Sequence, residues 1–524
     1  MKWLLLSLLL GAALRVPGWY TQEEMKPWGL FETDEEQHVA IAMERYNELA
    51  EQPVANPFPP GSFNVRGFGH LTASLLYGWH ALTGRPVDFA SILLTGRVLA
   101  TLFSLLLVVI VYGMARTVGL PPGAAGVAAL LLAVCDLAVT YGHYALPASA
   151  YVCAAYLAAL GGLWLLRQPS AGAVACLAGG AAAAIAFKFD VLPALAGGAL
   201  VVLLLLFRYP GTGRRLPAYL PLVGVAAFLG LFWLLTAGWS WTDLFASFTE
   251  LRRQNADVVP VDDHLRDNLI AYPLAVMAGI GLPAWLLAAA GAVLVVRHHL
   301  LRPGYRFATV AAAYLGGWLL AEFGLLWYID TAFVRRATVF MPATCLAAAW
   351  ALHRFRCSAA VRVGVVTWSL GLALVGQYNH RYDTRYAFRD WANAEVKAPL
   401  RMGMSGIAVR GLENGRYYAS AQLDYFAIHE RIASRYLRSL TTPFGVPECC
   451  TEVYHCESEP VCRHVQDIML DRRADFELVR EFAPVDLFPE RLLYRSLFGY
   501  YETFLGYIRV YRRTAPPAGQ HPLS

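Results

Sequence analysis

Apolar residues in this chain collect into runs near 20 residues long, separated by short polar turns. A helix of about 20 apolar residues crosses the ~30 Å hydrocarbon core of a bilayer. The pattern therefore predicts a polytopic all-α membrane protein with about eleven spans. We place them roughly at 2–20, 93–115, 120–138, 147–166, 171–187, 190–207, 216–238, 270–296, 306–329, 333–352 and 361–378.

The apolar stretch 68–82 is too short for a span and contains His70, Ser74 and His80, which favours a helix at the membrane surface. Counting it as non-spanning, with the N terminus in the cytoplasm, places the arginine-rich turns on the cytoplasmic side, as the positive-inside rule requires. The first apolar segment lacks a small-residue cleavage site and is interrupted by Arg15, so we expect a retained helix rather than a signal peptide.

The residues after 380 have ordinary polar content and are expected outside the cytoplasm. Strand-like runs at 406–409, 425–428 and 507–511, with a helix at 383–395, predict a small extracytoplasmic α/β domain. The predicted organisation is a membrane module, 1–380, followed by this domain, 381–524. A cysteine cluster in the domain lacks zinc-type spacing and predicts disulfides of undecided connectivity, involving Cys449, Cys450, Cys456 and Cys462.

Composition agrees with a membrane protein. Apolar residues make up 57% of the chain and charged residues 15%, whereas soluble domains average about 45–50% and about 25%. The net charge of +5 is not gathered into a basic stretch with interleaved aromatic residues. We therefore expect no nucleic acid partner.

An acidic cluster, Thr33-Asp34-Glu35-Glu36, follows the first predicted span. Thr33 and Glu36 fit a capping box, and the apolar spacing after them predicts a helix over 34–50 along the membrane surface with one face in lipid. Asp34 and Glu35 could simply complement the helix dipole. Carboxylates at this depth are also costly unless water or a charged substrate reaches them, so a functional role stays open.

Other polar groups fall in the same predicted external turns. Lys188 lies between two phenylalanines and close to Asp190, and is either a snorkelling lysine paired with that aspartate or an anion ligand. Arg335 and Arg336 are either interfacial anchors or further anion ligands. Carboxylates beside cations suit attack by a hydroxyl on a centre whose leaving group is a phosphate. Two histidines share these turns, His143 and, in the loop 239–269, His264.

On these residues the chain resembles the GT-C membrane glycosyltransferases, particularly the protein O-mannosyltransferase and lipid A aminoarabinose transferase group. The resemblance covers about residues 1–380. It is carried by Asp34-Glu35, Asn56-Pro57-Phe58, the stretch 63–67, Arg97 opening a span that ends at 112–116, and 186–189. The tail, with 383–385, Trp391 and 511–513, resembles external domains of uncharacterised bacterial members.

The resemblance implies inverting transfer of a sugar from a polyprenyl-phosphate donor to a hydroxyl of a lipid, glycan or protein acceptor, outside a bacterial inner membrane. Asp34 would be the catalytic base, with Glu35 assisting or positioning. Lys188 would contact the donor phosphate, helped by Arg335 or Arg336. Further substrate-binding candidates are Arg66, His143 and His264.

Some relatives use a divalent metal and others none, and we see no spacing that predicts a metal site. Many relatives have a Pro-rich stretch where this chain has 64–67, which leaves the sugar and a second catalytic acid open. The alternatives are a non-catalytic GT-C scaffold that binds lipid-linked sugar and a transporter or lipid flippase. A transporter is disfavoured because the strong charges lie in external turns and no internal repeat is found.

Overall fold

The computed structural model describes residues 2–19, 33–50, 54–55, 66–188, 219–236, 261–300, 307–329, 334–395, 402–405, 424–430, 433, 459–499, 501 and 505–514. Most of these residues are helical. Within these ranges, four helices are long and apolar enough to cross a membrane, at Phe89–Thr117, Ala148–Arg167, Phe307–Trp327 and Ala359–Glu395, the last containing a break after Arg381. Shorter apolar helices lie between them.

The first half of the membrane module is built from nine described helices. They are α1 (Lys2–Arg15), α2 (Thr33–Leu49), α3 (Gly67–Thr83), α4 (Phe89–Thr117), α5 (Pro122–Ala133), α6 (Asp136–Thr140), α7 (Ala148–Arg167), α8 (Ala171–Phe187) and α9 (Tyr219–Thr236). A 3-10 turn, Val16–Trp19, continues from α1.

The second half follows with α10 (Val261–Ile280), α11 (Leu282–Val295), α12 (Phe307–Ile329), α13 (Met341–Arg354) and α14 (Ala359–Arg381). A π-helical turn, Val296–Leu300, ends α11, and a 3-10 segment, Val334–Phe340, precedes α13. The predicted span 190–207 lies outside the described residues, so the total of eleven spans stays a prediction.

Two of the predicted spans each divide into two α-helices. The stretch 120–138 divides into α5 and α6 after Ala133. The stretch 270–296 breaks at Gly281, whose φ of +94° is a conformation that residues with a Cβ rarely adopt. The sequence of an apolar run does not distinguish a glycine that breaks a helix through a positive φ from a glycine that allows two helices to pack closely.

The sequence predicts that helix α2 places its apolar face in lipid. In the structure this face packs against protein instead. Val39, Met43 and Tyr46 are buried in a cluster with Ala73 and Leu76 of α3. The two helices pack so closely that a Cβ on Gly69 would lie 2.7 Å from the Ile41 side chain. The periodicity identifies the apolar face correctly, but the face is covered by α3, which in turn exposes its own Leu75, Trp79 and Leu82.

The tail forms the expected small α/β domain. Its sheet has the order β1-β2-β4-β3, with β1 (Met402–Ser405) parallel to β2 (Tyr425–His429) and β4 (Ile508–Arg513) antiparallel to β2 and to β3 (Phe476–Phe482). Helices α15 (Thr384–Glu395), α16 (Glu459–Met469) and α17 (Pro489–Phe498) accompany it. The strands predicted at 425–428 and 507–511 are confirmed, and 406–409 lies outside the described residues.

The cysteines of the membrane module are packing residues, as expected, with Cys135 and Cys153 free and buried. In the tail cluster, Cys449, Cys450 and Cys456 lie outside the described residues. Cys462 lies in α16 and its side chain is not described. The predicted disulfides therefore stay a prediction.

Candidate functional site

Glu35, in the first turn of α2, is fixed by three hydrogen bonds. Arg97 of α4 donates from Nε to Oε1 at 3.2 Å and from Nη2 to Oε2 at 3.1 Å, and the Ala145 amide donates to Oε1 at 2.7 Å. The side chains of Glu35 and Arg97 are 0% and 2% exposed. A two-point pair of this kind is both strong and geometrically specific. It holds the start of α2 against α4 and the turn before α7.

Asp34 immediately precedes this anchor in the chain. Its backbone is in the first turn of α2, so the contacts of Glu35 also set where Asp34 lies. The Asp34 side chain lies outside the described part of the structure. The same holds for His264, whose backbone is in the first turn of α10.

His143, predicted in an external turn, is in that turn but is completely buried. Its ring centroid lies 4.8 Å from that of His380, at the end of α14, and 5.4 Å from that of Tyr144. A Cβ on Gly18 would lie 2.5 Å from the His143 ring, so the 3-10 turn after α1 covers it. The same turn also contacts the Glu35–Arg97 pair, because the Trp19 carbonyl accepts a hydrogen bond from Arg97 at 3.4 Å.

Two more buried arginines lie near this histidine pair. Arg15 donates from Nε to Ser104 Oγ and from Nη1 to the Ala133 carbonyl, both at 2.9 Å. Arg385 binds Asp383, with Nε 2.9 Å from Oδ1. Arg97 and Arg385 are each paired with a buried carboxylate, Glu35 and Asp383, so their positive charge is balanced within the protein.

The role of Arg15 was not visible in the sequence beyond its interruption of an apolar run. The Ala133 carbonyl that it binds is at the C-terminal end of α5, where helix carbonyls lack partners within the helix. Arg15 therefore contributes to the division of the predicted span 120–138 as well as to the local charge.

Lys188 directly follows α8. Its Nζ lies 4.9 Å from the centroid of the Tyr151 ring, a cation–π distance. The Tyr151 hydroxyl donates to Glu322 Oε1 at 2.6 Å, and Glu322 is buried within α12. Asp190, the expected partner of Lys188, lies outside the described residues. A glutamate inside an apolar span is the signal that could have identified this line of contacts from sequence.

The other cationic residues predicted for the site are Arg66, Arg335 and Arg336. Arg66 precedes α3 and pairs with Glu44 of α2, with Nη1 3.9 Å from Oε2. Arg335 and Arg336 are half-buried in the 3-10 segment before α13, where the Arg335 carbonyl accepts from Thr338 Oγ1 at 2.7 Å. The described contacts thus bring Glu35 and His143 into one cluster. The start of α3 after Arg66 packs against the end of α8 before Lys188, since a Cβ on Gly67 would clash with the Ala186 carbonyl.

A metal site does not emerge from the described part of the chain, since no group of three or more His, Cys, Asp or Glu side chains there could hold an ion. Metal dependence therefore stays open.

No protein-family model and no curated protein sequence matches the chain. Several solved structures match its fold, including the following two. The oligosaccharyltransferase of Archaeoglobus fulgidus in the apo form is 11% identical, with a TM-score of 0.52 over 98% of this chain and 88% of that one. ArnT from Cupriavidus metallidurans, bound to undecaprenyl phosphate, is 14% identical, with a TM-score of 0.50 over 82% of this chain and 94% of that one.

These similarities show that the chain has the fold of the GT-C membrane glycosyltransferases, which confirms the resemblance seen in its sequence. With its apolar helices, the chain is an integral membrane protein.

Proposed function

We propose that this protein is an inverting glycosyltransferase that moves a sugar from a polyprenyl-phosphate donor to a hydroxyl of an extracytoplasmic acceptor. The observation that carries the proposal is the anchoring of Glu35 by Arg97 and the Ala145 amide. Asp34 precedes Glu35 in the first turn of α2, so this anchoring supports a fixed position for its backbone, in a fold shared with a protein solved bound to undecaprenyl phosphate.

Asp34 is the proposed general base. It takes the proton of the acceptor hydroxyl as that oxygen forms a bond to the anomeric carbon. The bond between the anomeric carbon and the phosphate oxygen breaks on the opposite side, and the polyprenyl phosphate leaves with the electron pair. Inversion follows because attack and departure occur on opposite faces of the sugar.

Glu35 is the positioning residue in this scheme. Both of its oxygens accept hydrogen bonds from groups of the protein, and its side chain is fully buried. Because both oxygens already accept hydrogen bonds from the protein, the Glu35 side chain is occupied in holding the start of α2 in place. In this scheme Glu35 positions the start of α2, and its neighbour Asp34 accepts the proton.

Lys188 is the proposed ligand of the donor phosphate, with Arg335 or Arg336 as a second cation. Positive groups placed where negative charge develops on the leaving phosphate lower the barrier to bond breaking. The Tyr151 ring under Lys188, itself held by Glu322, limits the directions in which the ammonium group points.

The remaining candidates, Arg66, His143 and His264, are proposed to shape the substrate site. We propose that the protein lies in a bacterial inner membrane with a cytoplasmic N terminus and an extracytoplasmic tail, which follows from the arginine distribution. Its partners would be membrane lipid, the lipid-linked donor and an external acceptor.

The proposal is tested by supplying labelled polyprenyl-phosphate hexoses and pentoses to membranes that contain the protein, and following label into lipid, glycan and protein. Label entering one fraction only when the protein is present supports the transferase and identifies its acceptor class. No transfer from any donor, with retained donor binding, favours the non-catalytic scaffold. Donor lipid moved across the bilayer without transfer favours the flippase.

A further inference from the structure

Residues 485–498 of the tail lie along the transmembrane helix α14. At one end, Asn379 donates from Nδ2 to the Val485 carbonyl at 2.6 Å, and its Oδ1 accepts from the Val485 amide at 2.9 Å. At the other end, Trp368 Nε1 donates to Glu490 Oε1 at 2.7 Å. Asn379 and Trp368 both lie in α14, so their contacts show where Val485 and Glu490 lie along the axis of this helix.

Eleven residues separate Trp368 from Asn379. At 1.5 Å per residue, the chain therefore descends about 16 Å along α14 between Val485 and Glu490. That is about half of a ~30 Å hydrocarbon core. The start of the descent lies near the predicted external end of α14.

The lowest part of the segment is packed inside the membrane bundle. Glu490 Oε1 also accepts from the Leu282 amide at 3.1 Å, at the point where α11 begins after the Gly281 break. The Phe488 ring lies edge-on to Trp368, with ring centroids 5.5 Å apart. A tail residue thus caps a helix of the membrane module.

Helix α17 then returns toward the external side. Arg491 Nη2 donates to the Leu372 carbonyl at 2.9 Å and lies 2.7 Å from Asp136 Oδ2. Leu372 is one turn above Trp368 in α14. Tyr494 and Phe498 are buried in the same apolar core as the transmembrane helices.

The two faces of this segment differ in polarity. Asp486, Glu490 and Arg491 are nearly or fully buried against the protein. Leu487, Leu492 and Leu493 face outward, 74%, 47% and 44% exposed. Charges turned inward and leucines turned outward are typical of a segment surrounded by lipid.

We propose that residues 485–498 form a re-entrant element that dips into the extracytoplasmic half of the bilayer, with Leu487, Leu492 and Leu493 in contact with lipid acyl chains. Helix α14, along which this segment lies, also exposes a leucine, Leu374. The element does not depend on the proposed transferase activity. It joins the tail to the membrane module through the buried Arg491–Asp136 pair and the hydrogen bonds of Glu490, as well as through the covalent chain.

The test places the photo-crosslinker p-benzoylphenylalanine at position 487 or 492 in the full-length protein. The protein is reconstituted in vesicles of phosphatidylethanolamine and phosphatidylglycerol, irradiated, and analysed by mass spectrometry for lipid adducts. Position 374 in α14 is the positive control. Position 478, which is exposed on strand β3 of the tail sheet, is the aqueous control.

We expect lipid adducts at 487 and 492 comparable to those at 374, and none at 478. Adducts at 374 alone would overturn the proposal, because the crosslinker at 487 and 492 would then face water or protein. Leu487→Lys provides an independent readout. It should lower the stability of the reconstituted protein, whereas Leu478→Lys should not, and equal stability of the two variants would also contradict a lipid-facing position.

Discussion

Arg97 binds both carboxylate oxygens of Glu35 at 3.1 and 3.2 Å, across 62 residues of sequence. The pair is shielded from water on all sides. Because neither charge has solvent to replace its partner, the two side chains are expected to depend on each other, and the position of Asp34 depends on both.

Arg97→Gln should lower the free energy of unfolding by about 3–5 kcal/mol, since it leaves Glu35 charged and buried without its partner. Thermal unfolding in detergent measures the loss. Arg512→Gln is the matched control, because Arg512 and its partner Glu477 are both exposed on the tail sheet, where such pairs contribute about 0–1 kcal/mol.

The double variant Glu35→Gln with Arg97→Gln should be more stable than the sum of the single losses predicts, since it removes both charges. Strictly additive losses would mean that the two side chains are not coupled.

Lys188→Ala should weaken the use of a polyprenyl-phosphate donor more than Lys188→Arg does, because arginine keeps a positive charge at the phosphate. Donor titrations of the transfer reaction measure the difference as a change in KM and kcat/KM. Near-wild-type donor use by both variants would instead favour a lysine that only snorkels at the membrane surface.

Tyr151→Phe keeps the ring beneath Lys188 but removes the hydroxyl that donates to Glu322. A buried carboxylate that loses a donor costs about 1–3 kcal/mol of stability. If Tyr151 positions Lys188, the donor KM should rise as well, and Glu322→Gln should have a smaller effect on KM because its amide oxygen can still accept the bond. Lower stability with an unchanged KM would assign the contact to packing alone.

Glu430, which directly follows β2, is expected to make the stability of the tail depend on pH. Burial raises the pKa of its carboxyl to about 7, an effect that neighbouring Asp486 reinforces and that Arg495 and Arg509 oppose. The folded protein therefore holds this proton more tightly than the unfolded chain, whose glutamate has a pKa near ~4.3. Stability contributed by the protonated form is lost as pH rises from about 4.3 through about 7.

We expect the tail to unfold at a lower temperature at pH 8 than at pH 6, and Glu430→Gln to reduce that difference. Thermal unfolding followed across this pH range is the measurement. Glu477→Gln is the control, because Glu477 forms an exposed ion pair with Arg512 on the same sheet. A pH dependence that Glu430→Gln leaves unchanged would assign it to another group.

Much of the helical architecture could be predicted from the sequence because transmembrane helices are encoded in local apolar runs. The hydrophobic pattern did not predict features that depend on contacts with residues distant in sequence. The apolar face of α2 was identified correctly, yet its partner is α3 rather than lipid. The break at Gly281 depends on the backbone conformation of this glycine and on the hydrogen bond that the next residue, Leu282, donates to Glu490, 208 residues further along the chain.

The segment 485–498 could not be recognised as membrane-embedded, because its four charged residues keep its hydropathy low. Only the structure shows that Asp486, Glu490, Arg491 and Arg495 have partners inside the protein. In the candidate site, the sequence identified the acidic cluster as a candidate because it directly follows the first predicted span, and the catalytic role of Asp34 stays a prediction. The assignment of Glu35 to Arg97 required the fold, because spacing alone does not relate residues in α2 and α4.

The most direct test of the proposed reaction compares wild type, Asp34→Asn and Glu48→Gln in transfer of labelled sugar from a polyprenyl-phosphate donor, with donor binding measured on the same samples. Glu48 is an exposed acid on the same helix. Loss of a general base lowers the rate by about 10²–10⁴-fold, so Asp34→Asn should bind donor but turn over slowly, while Glu48→Gln resembles wild type. Wild-type turnover by Asp34→Asn would contradict the account.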